Sequence, residues 1–432
     1  MTAGTLAADP AYVLLGIPDV NGSIRGKALR PAAFKSAVEE GTVMTDLFLA
    51  LDPLDVPITD YTRFGIRSGA GDLLVRPTPE TLRDLSWRPG WQLCLATPSW
   101  LDGAPCELAS REVLRRVVGE LSEAGFESLC AFEYEVRIFD GDGRPMSSGL
   151  SYSVGEVLRF DELVRRLEPA LTGLGIELSA VHTEAGPGLL EVNIAPRPGL
   201  QAADDAAMLK MAVKDVAASL GLRASFLAKT AAGEEGSSGH VHLSCWSDGR
   251  NAFSAASPGE PLSPPLAGAI AGIVEHLPAA SLLFNPTVNS YKRLVPGWFA
   301  PVNATWGREN RSAAVRAIWS DHPDRCRLEC RRPGADANPY LALAALVASA
   351  TDGIRRRAPA PPPVVGDASE LSEAALPSSL DEALRAFRDD TTLQGLLGVE
   401  FSEYYAVSRA WELKAWQQTV TDWERARYEG AV

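Results

Sequence analysis

Four short segments of the chain carry acidic, imidazole and guanidinium side chains at spacings that could serve chemistry. In chain order they contain Glu133 and Glu135, Glu184 and Glu191, His240 and His242, and Glu329 and Arg331. The first, third and fourth pairs are spaced i and i+2, and such residues share one face of a strand. Carboxylates that cluster on one wall repel one another, and a hard divalent cation usually relieves that repulsion. The pattern therefore predicts a metal site.

The elements that must position these segments begin with a small domain. Residues 12–30 alternate around Asn21-Gly22, and this dipeptide between two apolar runs predicts a β-hairpin. Further short strands are predicted at 71–76 and 91–97. Residues 1–102 are therefore predicted to form a small α+β domain.

Capping signals predict helices in the rest of the chain. Ser110 is predicted to cap a helix at 111–124, and Ser379 to cap a later helix. Residues 203–220 have helical spacing and end at Gly221, and their methionines are assigned to the core. Strands and helices therefore mix throughout the second part of the chain.

Other stretches indicate loops and the cellular compartment. Ser254–Pro265 and Arg355–Glu370 are rich in Ser or Pro and are predicted to be loops. The longest apolar run, Tyr340–Ala350, is too short to span a bilayer and is predicted to be a buried helix. The first ten residues, MTAGTLAADP, show no basic region followed by an apolar run, so no signal peptide is expected. These features predict a cytoplasmic protein without a membrane partner.

The composition is that of an ordinary globular protein. The 432 residues suggest two or more domains, with 46 % hydrophobic and 22 % charged residues. A formal net charge of −14 disfavours nucleic acid as a partner. The six cysteines include no CxxC pair, so reduced thiols fit better than a disulfide framework or a zinc cluster.

Taken in chain order, the motifs of this sequence resemble those of the glutamine synthetase superfamily, type I-like. The motifs are E-x-E, H-x-E-(x6)-E, G-H-x-H-x-S, NPTVNSYKRLVPG, WG-x-x-NRSAAVR, and RLEC followed by NPYLA. The resemblance covers nearly the whole chain. It implies a β-grasp-like domain at residues 1–102 and a catalytic domain at 103–432, built on an antiparallel half-barrel sheet with helices.

The resemblance implies two metal ions and ATP. It matches one ion to Glu135, Glu184 and Glu191, and the second, which touches the ATP phosphates, to Glu133, His240 and Glu329. Carboxylates with one imidazole suit Mg²⁺ or Mn²⁺, whereas zinc would use more His or Cys. Two such ions can bridge a transferring phosphoryl group and offset its charge.

Other motif positions imply contacts with the substrates. Arginines matched to the phosphate and the transferred group are Arg311 and Arg316, and those matched to the glutamate carboxylate are Arg293 and Arg331. The backbone of Gly236 matches an amino-acid contact, and the nucleotide contacts match His242, Ser244 and Arg327. His182, two residues before Glu184, is left open between supporting that glutamate and packing.

The chain departs from glutamine synthetase where ammonium would bind. Phe299 stands where the family has a flap glutamate, and the Asp-Gly-Ser-Ser pattern of the N-terminal loop is missing. Asp52 is the best candidate for a surviving aspartate there, and Asp46 the next. The interval from Glu184 to Glu191 resembles that of the γ-glutamylpolyamine and γ-glutamylmonoamine synthetases. Because Phe299 removes a charge and adds an apolar wall, the pocket should favour an amine that bears carbon over ammonia.

These observations predict an ATP-dependent ligase that joins the γ-carboxylate of glutamate to a primary amine through γ-glutamyl phosphate. Asp52 is the candidate base, or the anchor for the ammonium end of the amine. The resemblance further implies a ring-shaped homo-oligomer, two stacked hexamers, with each active site between neighbouring subunits. Three alternatives stay open: glutamine synthetase acting on ammonia, a related ligase for another acid or amine, and a catalytically inactive paralogue.

Overall fold

The structure, a computed structural model, describes residues 10–254, 262–371 and 374–432. Most of the segment on which the absence of a signal peptide was predicted lies outside this range, as do residues 255–261 of the loop predicted at Ser254–Pro265. The regular elements form one six-stranded and one ten-stranded sheet with helices packed around them. The predicted α+β class is confirmed.

The N-terminal sheet contains the predicted hairpin. Its elements are β1 (Tyr12–Pro18), β2 (Ile24–Leu29), α1 (Pro31–Glu40), β3 (Thr42–Thr45), β4 (Asp72–Pro77), β5 (Arg83–Asp84) and β6 (Trp91–Ser99). The strand order is β2-β1-β6-β4-β3, with β5 on β6. At the hairpin turn Gly22 has a φ of 82°, and Asp19 Oδ1 accepts the N–H groups of Asn21 (2.9 Å) and Ser23 (2.8 Å).

The larger sheet is a half-barrel that runs through the centre of the molecule. Its strands are β7 (Glu127–Phe139), β8 (Leu178–Thr183), β9 (Leu189–Ile194), β10 (Arg197–Pro198), β11 (Arg223–Ser225), β12 (Gly239–Ser247), β13 (Arg250–Asn251), β14 (Trp306–Arg308), β15 (Val315–Ile318) and β16 (Arg327–Cys330). The main order is β14-β15-β16-β12-β7-β9-β8. Among the described strands of this sheet, every pairing is antiparallel except β14 with β15.

Helices cover the sheet. They are α2 (Ser110–Glu123), α3 (Val154–Val157), α4 (Asp161–Gly173), α5 (Gly199–Ser219), α6 (Pro264–Phe284), α7 (Pro339–Arg356), α8 (Leu380–Asp389), α9 (Thr391–Leu397), α10 (Val399–Gln417) and α11 (Asp422–Tyr428). The predicted buried helix at Tyr340–Ala350 is the core of α7. Within the described residues one helix, α6, is long and apolar enough to cross a membrane, but 78 % of its most apolar window is buried inside the fold, as in a core helix.

The helices α6 and α7 approach each other backbone to backbone. A Cβ on Gly272 would lie 2.1 Å from the carbonyl oxygen of Ser349, and a Cβ on Gly353 would lie 2.0 Å from that of Gly268. Only glycine fits such spacing, because every other residue adds at least a Cβ. We call these three glycines the glycine seam.

A buried histidine joins α6 to the neighbouring helices. His276 is 2 % exposed, its Nδ1 lies 2.6 Å from Asp390 Oδ2, and its Nε2 lies 3.3 Å from Asp352 Oδ2. Burial alone would lower the pKa of His276, but the bonds to the two carboxylates outweigh it and raise that pKa. The imidazole therefore joins α6 to α7 and to the junction between α8 and α9, and both carboxylates favour its charged form.

The predicted helix caps have different outcomes. Ser379 caps α8 as predicted, since its side chain accepts the N–H of Glu382. The prediction for Ser110 is wrong: this residue is the first of α2, and its hydroxyl donates to the carbonyl of Pro18 (3.1 Å) instead of accepting a helix N–H. A contact with the N-terminal sheet thus takes the hydroxyl that a local rule assigned to the helix.

The two sheets share one hydrophobic core. A single cluster of buried side chains runs from Leu15 and Leu93 in the N-terminal sheet to Phe132 and Leu243 in the larger one. The predicted boundary near residue 102 falls between β6, which ends at Ser99, and α2. That position stays a prediction, because a shared core does not mark where one folding unit ends.

Candidate active site

The register of the larger sheet brings the predicted pairs together. Direct cross-strand neighbours are Glu133 with His240, His242 with Glu329, Glu329 with Arg316, and Glu135 with Glu191. Neighbouring strands lie about 4.8 Å apart, so side chains on one face at these positions must converge. Five adjacent strands, β15-β16-β12-β7-β9, therefore build one site.

Glu133, His240 and Glu329 form the first acidic group, with ligand atoms within 4.8 Å of one another. His240 Nδ1 lies 3.4 Å from Glu329 Oε1 and 3.8 Å from Glu133 Oε2. His240 is 5 % exposed and Glu329 1 %. The resemblance matched these three residues to the metal ion that touches the ATP phosphates.

His182, Glu184 and Glu191 form the second acidic group. His182 Nε2 lies 3.0 Å from Glu184 Oε1 and 3.5 Å from Glu191 Oε1, and the His182 ring stacks on Tyr152 with centroids 4.7 Å apart. The structure thus places His182 against both carboxylates and not in the core.

Glu135 lies beside the second group but outside that set of close ligand atoms. It faces Glu191 across the strands, while its Oε2 accepts the backbone N–H of Ser238 at 2.7 Å. The carboxylate is thereby held at the edge of the group, where the resemblance expects a ligand.

The electrostatics of the site differ between the two groups. Burial, followed by repulsion from Glu135 and Glu133, raises the pKa of Glu191 to about 8. Burial would also raise the pKa of Glu329, but His240, Arg331 and His242 outweigh it and lower that pKa to about 2. In the second group, burial and the neighbouring carboxylates thus disfavour the charged form of Glu191. Burial would also raise the pKa of Glu184, but hydrogen bonds, led by the one from His182, outweigh it and lower that pKa.

The donor set of both groups fits a hard divalent cation. Oxygen and nitrogen atoms that each bind one Mg²⁺ or Mn²⁺ ion at about 2.1 Å lie roughly 3–4 Å from one another, which is the spacing of the first group. Burial and Arg331 lower the pKa of His240, which keeps its imidazole in the neutral form that binds metals. Carboxylates in excess of imidazole favour Mg²⁺ or Mn²⁺ over zinc.

Two predicted arginines hold Glu329 from opposite sides. Arg316 Nη1 donates to Glu329 Oε2 at 3.0 Å, and Arg331 Nη1 donates to Glu329 Oε1. Arg331 Nε also donates to the carbonyl of Arg311 (2.9 Å), which fixes the loop that carries the Arg311 side chain. The guanidinium groups and the first acidic group therefore form one connected network.

The predicted amino-acid contacts lie against each other. Arg293 is 2 % exposed, and its guanidinium donates to the carbonyl groups of Arg331 and Arg332 and to the Ser238 hydroxyl. Burial lowers the pKa of Arg293 to about 10. A Cβ on Gly236 would lie 2.5 Å from Arg293 Cγ, so only glycine fits at that position.

The predicted nucleotide contacts line the first acidic group. His242 Nε2 lies 3.0 Å from Glu133 Oε1, and Arg327 Nε donates to His242 Nδ1 at 3.1 Å. Two residues further along β12, the Ser244 hydroxyl accepts the indole N–H of Trp246 at 2.9 Å. The strand thus presents a row of polar side chains beside Glu133.

Phe299 lies on an exposed loop next to the site. It is 65 % exposed and has a φ of 52°, in the left-handed region that costs a non-glycine residue about 1–2 kcal/mol. The ring of the preceding residue, Trp298, lies over the ammonium of Lys229 at 4.2 Å. Seven other non-glycine residues of the described chain also have a positive φ, so the backbone conformation of Phe299 does not by itself mark a functional position.

The two candidate aspartates lie in the N-terminal domain. Asp52 Oδ1 accepts the N–H groups of Leu54 (2.8 Å) and Val56 (2.9 Å), and its Oδ2 lies 3.4 Å from the indole nitrogen of Trp411. Asp46 is buried and accepts the N–H of Gly65. None of these contacts within the described chain links either aspartate to the two acidic groups.

Sequence reasoning missed three residues that contact the site. Tyr152 stacks on His182, and burial followed by the negative charge of Glu184 raises its pKa to about 12. Glu309 accepts a bond from Arg316 at 2.6 Å, and Lys229 holds Trp298. Only Glu309 lies inside a recognised motif, WGRENRSAAVR, and there it occupies a variable position.

Comparison with known proteins identifies the family of this chain. Residues 107–428 match the glutamine synthetase catalytic domain, and the chain belongs to the glutamine synthetase family. It is an ATP-dependent carboxylate–amine ligase of the glutamate–amine kind, and enzymes of this family generally use ATP and divalent metals. The predicted family, fold and enzyme class are confirmed.

Individual relatives cover almost the whole chain. The chain is 34 % identical to the gamma-glutamylethanolamide synthetase of Streptomyces coelicolor, over 98 % of this chain and 93 % of that one. It is 33 % identical to the glutamate–isopropylamine ligase of a Pseudomonas species (96 % and 94 %) and 32 % identical to the glutamine synthetase of Thermus thermophilus (96 % and 95 %). The solved apo structure of GmaS superimposes with a TM-score of 0.86 at 28 % identity, covering 98 % and 97 %.

Proposed function

We propose that this protein joins the γ-carboxylate of glutamate to a primary amine that bears carbon, and that ammonia is not its preferred nucleophile. The observation that carries the proposal is Phe299, an exposed and strained aromatic residue where the family has a flap glutamate. A small cation such as ammonium needs a tight anionic pocket, whereas an aromatic wall favours an alkyl group. Two of the relatives above bear the names of ligases for ethanolamine and isopropylamine.

The first acidic group would hold one ion with Glu133, His240 and Glu329, and the second would hold another with Glu184, Glu191 and Glu135. Bound there, Mg²⁺ or Mn²⁺ would supply charge that neutralises the ATP phosphates. Arg316 and Arg311 are proposed to contact the transferring phosphoryl group, where a guanidinium fork stabilises trigonal, highly anionic oxygens. His242, Ser244 and Arg327 are proposed to contact the nucleotide.

Glutamate is proposed to bind between Arg331, Arg293 and the backbone of Gly236. Its side-chain carboxylate oxygen attacks the γ-phosphorus of ATP, ADP leaves with the electron pair, and γ-glutamyl phosphate forms. This step is required because a carboxylate is a poor acyl donor, while phosphate is a good leaving group. The amine nitrogen then attacks the acyl carbon, the bond from that carbon to the phosphate oxygen breaks, and phosphate departs.

The amine must lose a proton before or during its attack. An alkylammonium resembles lysine, with a pKa near ~10.4, so most of the amine is protonated at neutral pH. Asp52, offered by a neighbouring copy of the chain, is the proposed base. Among the described residues, the hydrogen bonds of Asp52 are with Leu54, Val56 and Trp411 and not with either acidic group, which fits a site shared between subunits. We propose a cytoplasmic ring-shaped homo-oligomer of two stacked hexamers, and the exposed Trp416, Trp423 and Tyr428 offer surface for such contacts.

The proposal is tested by ADP release with glutamate, ATP and one nucleophile at a time. Turnover with at least one alkylamine should exceed that with ammonium at equal concentration of the free base. Turnover with ammonium alone would instead identify an ordinary glutamine synthetase. No turnover, with no rise in Tm on adding Mn·ATP, would identify an inactive paralogue.

A further inference from the structure

A cavity of about 510 Å³ lies beside Phe299, apart from the two acidic groups. Three stretches wall it: 297–300 with Phe299, 308–312 with Arg311, and 363–369 from the proline-rich connection. Small-molecule sites have volumes of about 300–1,000 Å³, so the cavity is far larger than ammonium or methylamine needs.

The walls of this cavity are tied together. Asn310 Nδ2 donates to the carbonyl groups of Val364 (3.2 Å) and Gly366 (2.9 Å), and the Ser312 hydroxyl accepts the N–H of Ala368 (2.8 Å). In the remaining stretch, 297–300, Trp298 packs over Lys229. Hydrogen bonds therefore join two of the three walls directly.

One lining residue, Arg311, links the cavity to the first acidic group. The Arg311 carbonyl accepts a hydrogen bond from Arg331, whose guanidinium binds Glu329. Under the proposed function Arg311 contacts the phosphoryl group. A nucleophile that attacks the acyl phosphate would then extend its remaining atoms into this space.

The lining of the cavity combines apolar side chains with one carboxylate, Asp367, that forms no ion pair among the described residues. Phe299 and Val364 supply apolar surface, and the charged side chains are Arg308, Glu309, Arg311 and Asp367. Glu309 is paired with Arg316, and the Arg308 guanidinium lies 4.6 Å from the centre of the Trp319 ring. Asp367 uses Oδ1 to accept the N–H of Ser369, and among the described residues no cation is paired with it.

We propose that this cavity binds the carbon chain of the amine substrate, and that the far end of that amine carries an ammonium or hydroxyl group that donates to Asp367. The inference rests on the proposed function and extends it by naming the substrate class. The carbon chain of the amine would bury its apolar surface against Phe299 and Val364. At the far end, Asp367 would favour a hydrogen-bond donor over a methyl group.

Three amines of equal heavy-atom count test this: n-butylamine, 3-aminopropan-1-ol and 1,3-diaminopropane, with methylamine and ammonium for reference. The wild type should show a kcat/KM about threefold or more higher for an amine with a far-end donor than for n-butylamine, as expected for an exposed polar contact. A preference for the diamine identifies an ammonium end, and a preference for the amino alcohol identifies a hydroxyl end. Either supports the inference.

Two variants assign the effect to the cavity. Asp367→Asn keeps the oxygen that accepts the Ser369 N–H, and it should lower the ratio of kcat/KM for the far-end donors to kcat/KM for n-butylamine to about one. Val364→Trp fills the cavity and should lower kcat/KM for all three long amines by about tenfold or more relative to methylamine. Asp381→Asn, which lies on the exposed first turn of α8, is the matched control and should leave every ratio unchanged.

The outcomes separate this inference from the proposed function. If alkylamines are used but neither variant alters their order, the cavity does not bind the amine, while the amine ligase function stands. If ammonium is the only nucleophile used, both proposals fail. Asp367→Asn changes one exposed side chain, so it gives an answer even if the Tm shows that Val364→Trp does not fold.

Discussion

The two acidic groups and the cavity beside Phe299 are built in opposite ways. The acidic groups lie on adjacent strands, or directly after one in the case of Glu184, so that the register fixes the neighbours, and Glu329 is 1 % exposed. The cavity is walled by three loops, and Phe299 is 65 % exposed. Groups that must hold a geometry within a fraction of an ångström belong on rigid elements, whereas loops tolerate change. Under the proposed function, the sheet holds the groups that activate the carboxylate, and the loops select the nucleophile.

The largest effect is expected in the sheet, at Glu329. Glu329→Gln keeps the shape but removes a charge that Arg316, Arg331 and the proposed metal ion share, and ADP formation should fall by about 10³-fold or more. The variant should also lose the increase in Tm that Mn²⁺ gives the wild type, because a ligand that binds the native state stabilises it.

Glu123→Gln, on the exposed end of α2, serves as the control for the Glu329 variant and should behave as wild type. ADP release is measured with a coupled assay. If turnover in Glu329→Gln stays within tenfold of wild type, Glu329 is not a metal ligand, and the claim that the sheet holds the activating groups is refuted.

A smaller effect is expected at Gly236, on the loop between Lys229 and β12. Gly236→Ala would place a Cβ 2.5 Å from both Arg293 Cγ and the carbonyl oxygen of Ala228. Displacement of Arg293 should lower kcat/KM for glutamate by roughly 100-fold, as a shift of about 1 Å in a positioning group does. The matched control is Gly233→Ala, since a Cβ there meets nothing within 4 Å. Equal kinetics for the two variants would show that Arg293 does not position the substrate.

Phe299→Glu should change selectivity and leave activation intact. The ratio of kcat/KM for ammonium to that for an alkylamine should rise by about tenfold, because a carboxylate attracts a small cation and removes the apolar wall. Phe299→Leu, which stays apolar, should keep the amine preference. If Phe299→Glu uses the same nucleophiles in the same order as wild type, Phe299 does not select the nucleophile, and the proposed separation of roles between sheet and loops is wrong.

The smallest effect is expected in the helices, at His276, and it should appear in stability alone. Because the folded-state pKa of His276 is raised, its stabilisation is complete below about pH 6.5, the ordinary value for histidine, and is lost as pH rises through the folded pKa. The Tm gap between wild type and His276→Asn should therefore be largest near pH 6 and shrink towards pH 9. The exposed His322→Asn is the control. A gap that is constant with pH would show that the imidazole is not charged.

The sequence was sufficient for the residues that share a strand and insufficient for those that meet across the fold. Spacing of i and i+2 identified Glu133 with Glu135 and His240 with His242, because strand geometry is local. No local sequence pattern predicts that β7 pairs with both β12 and β9. Only the motif resemblance could therefore predict that Glu133 lies opposite His240. The packing of Trp298 on Lys229 joins residues far apart in the chain, and no motif contains that pair.

Two outcomes at single residues show why local rules fail. Ser110 satisfies the composition rule for a helix cap, but a carbonyl of the N-terminal hairpin accepts its hydroxyl, so tertiary contact overrides propensity. His182 could not be assigned from sequence because its role depends on the turn that returns Glu191 to it. In both cases the deciding atom belongs to another strand.

The three residues of the glycine seam can affect the proposed amino-acid contacts although they lie on the helices α6 and α7. Phe284, the last residue of α6, accepts the N–H of Gly334, three residues beyond Arg331, and the loop with Arg293 begins directly after α6. One methyl group at Gly272 would wedge α6 away from α7 and carry that movement along the helix axis to the amino-acid contacts. Directed evolution of this scaffold should therefore keep the three glycines fixed, although they belong to neither acidic group and do not line the cavity.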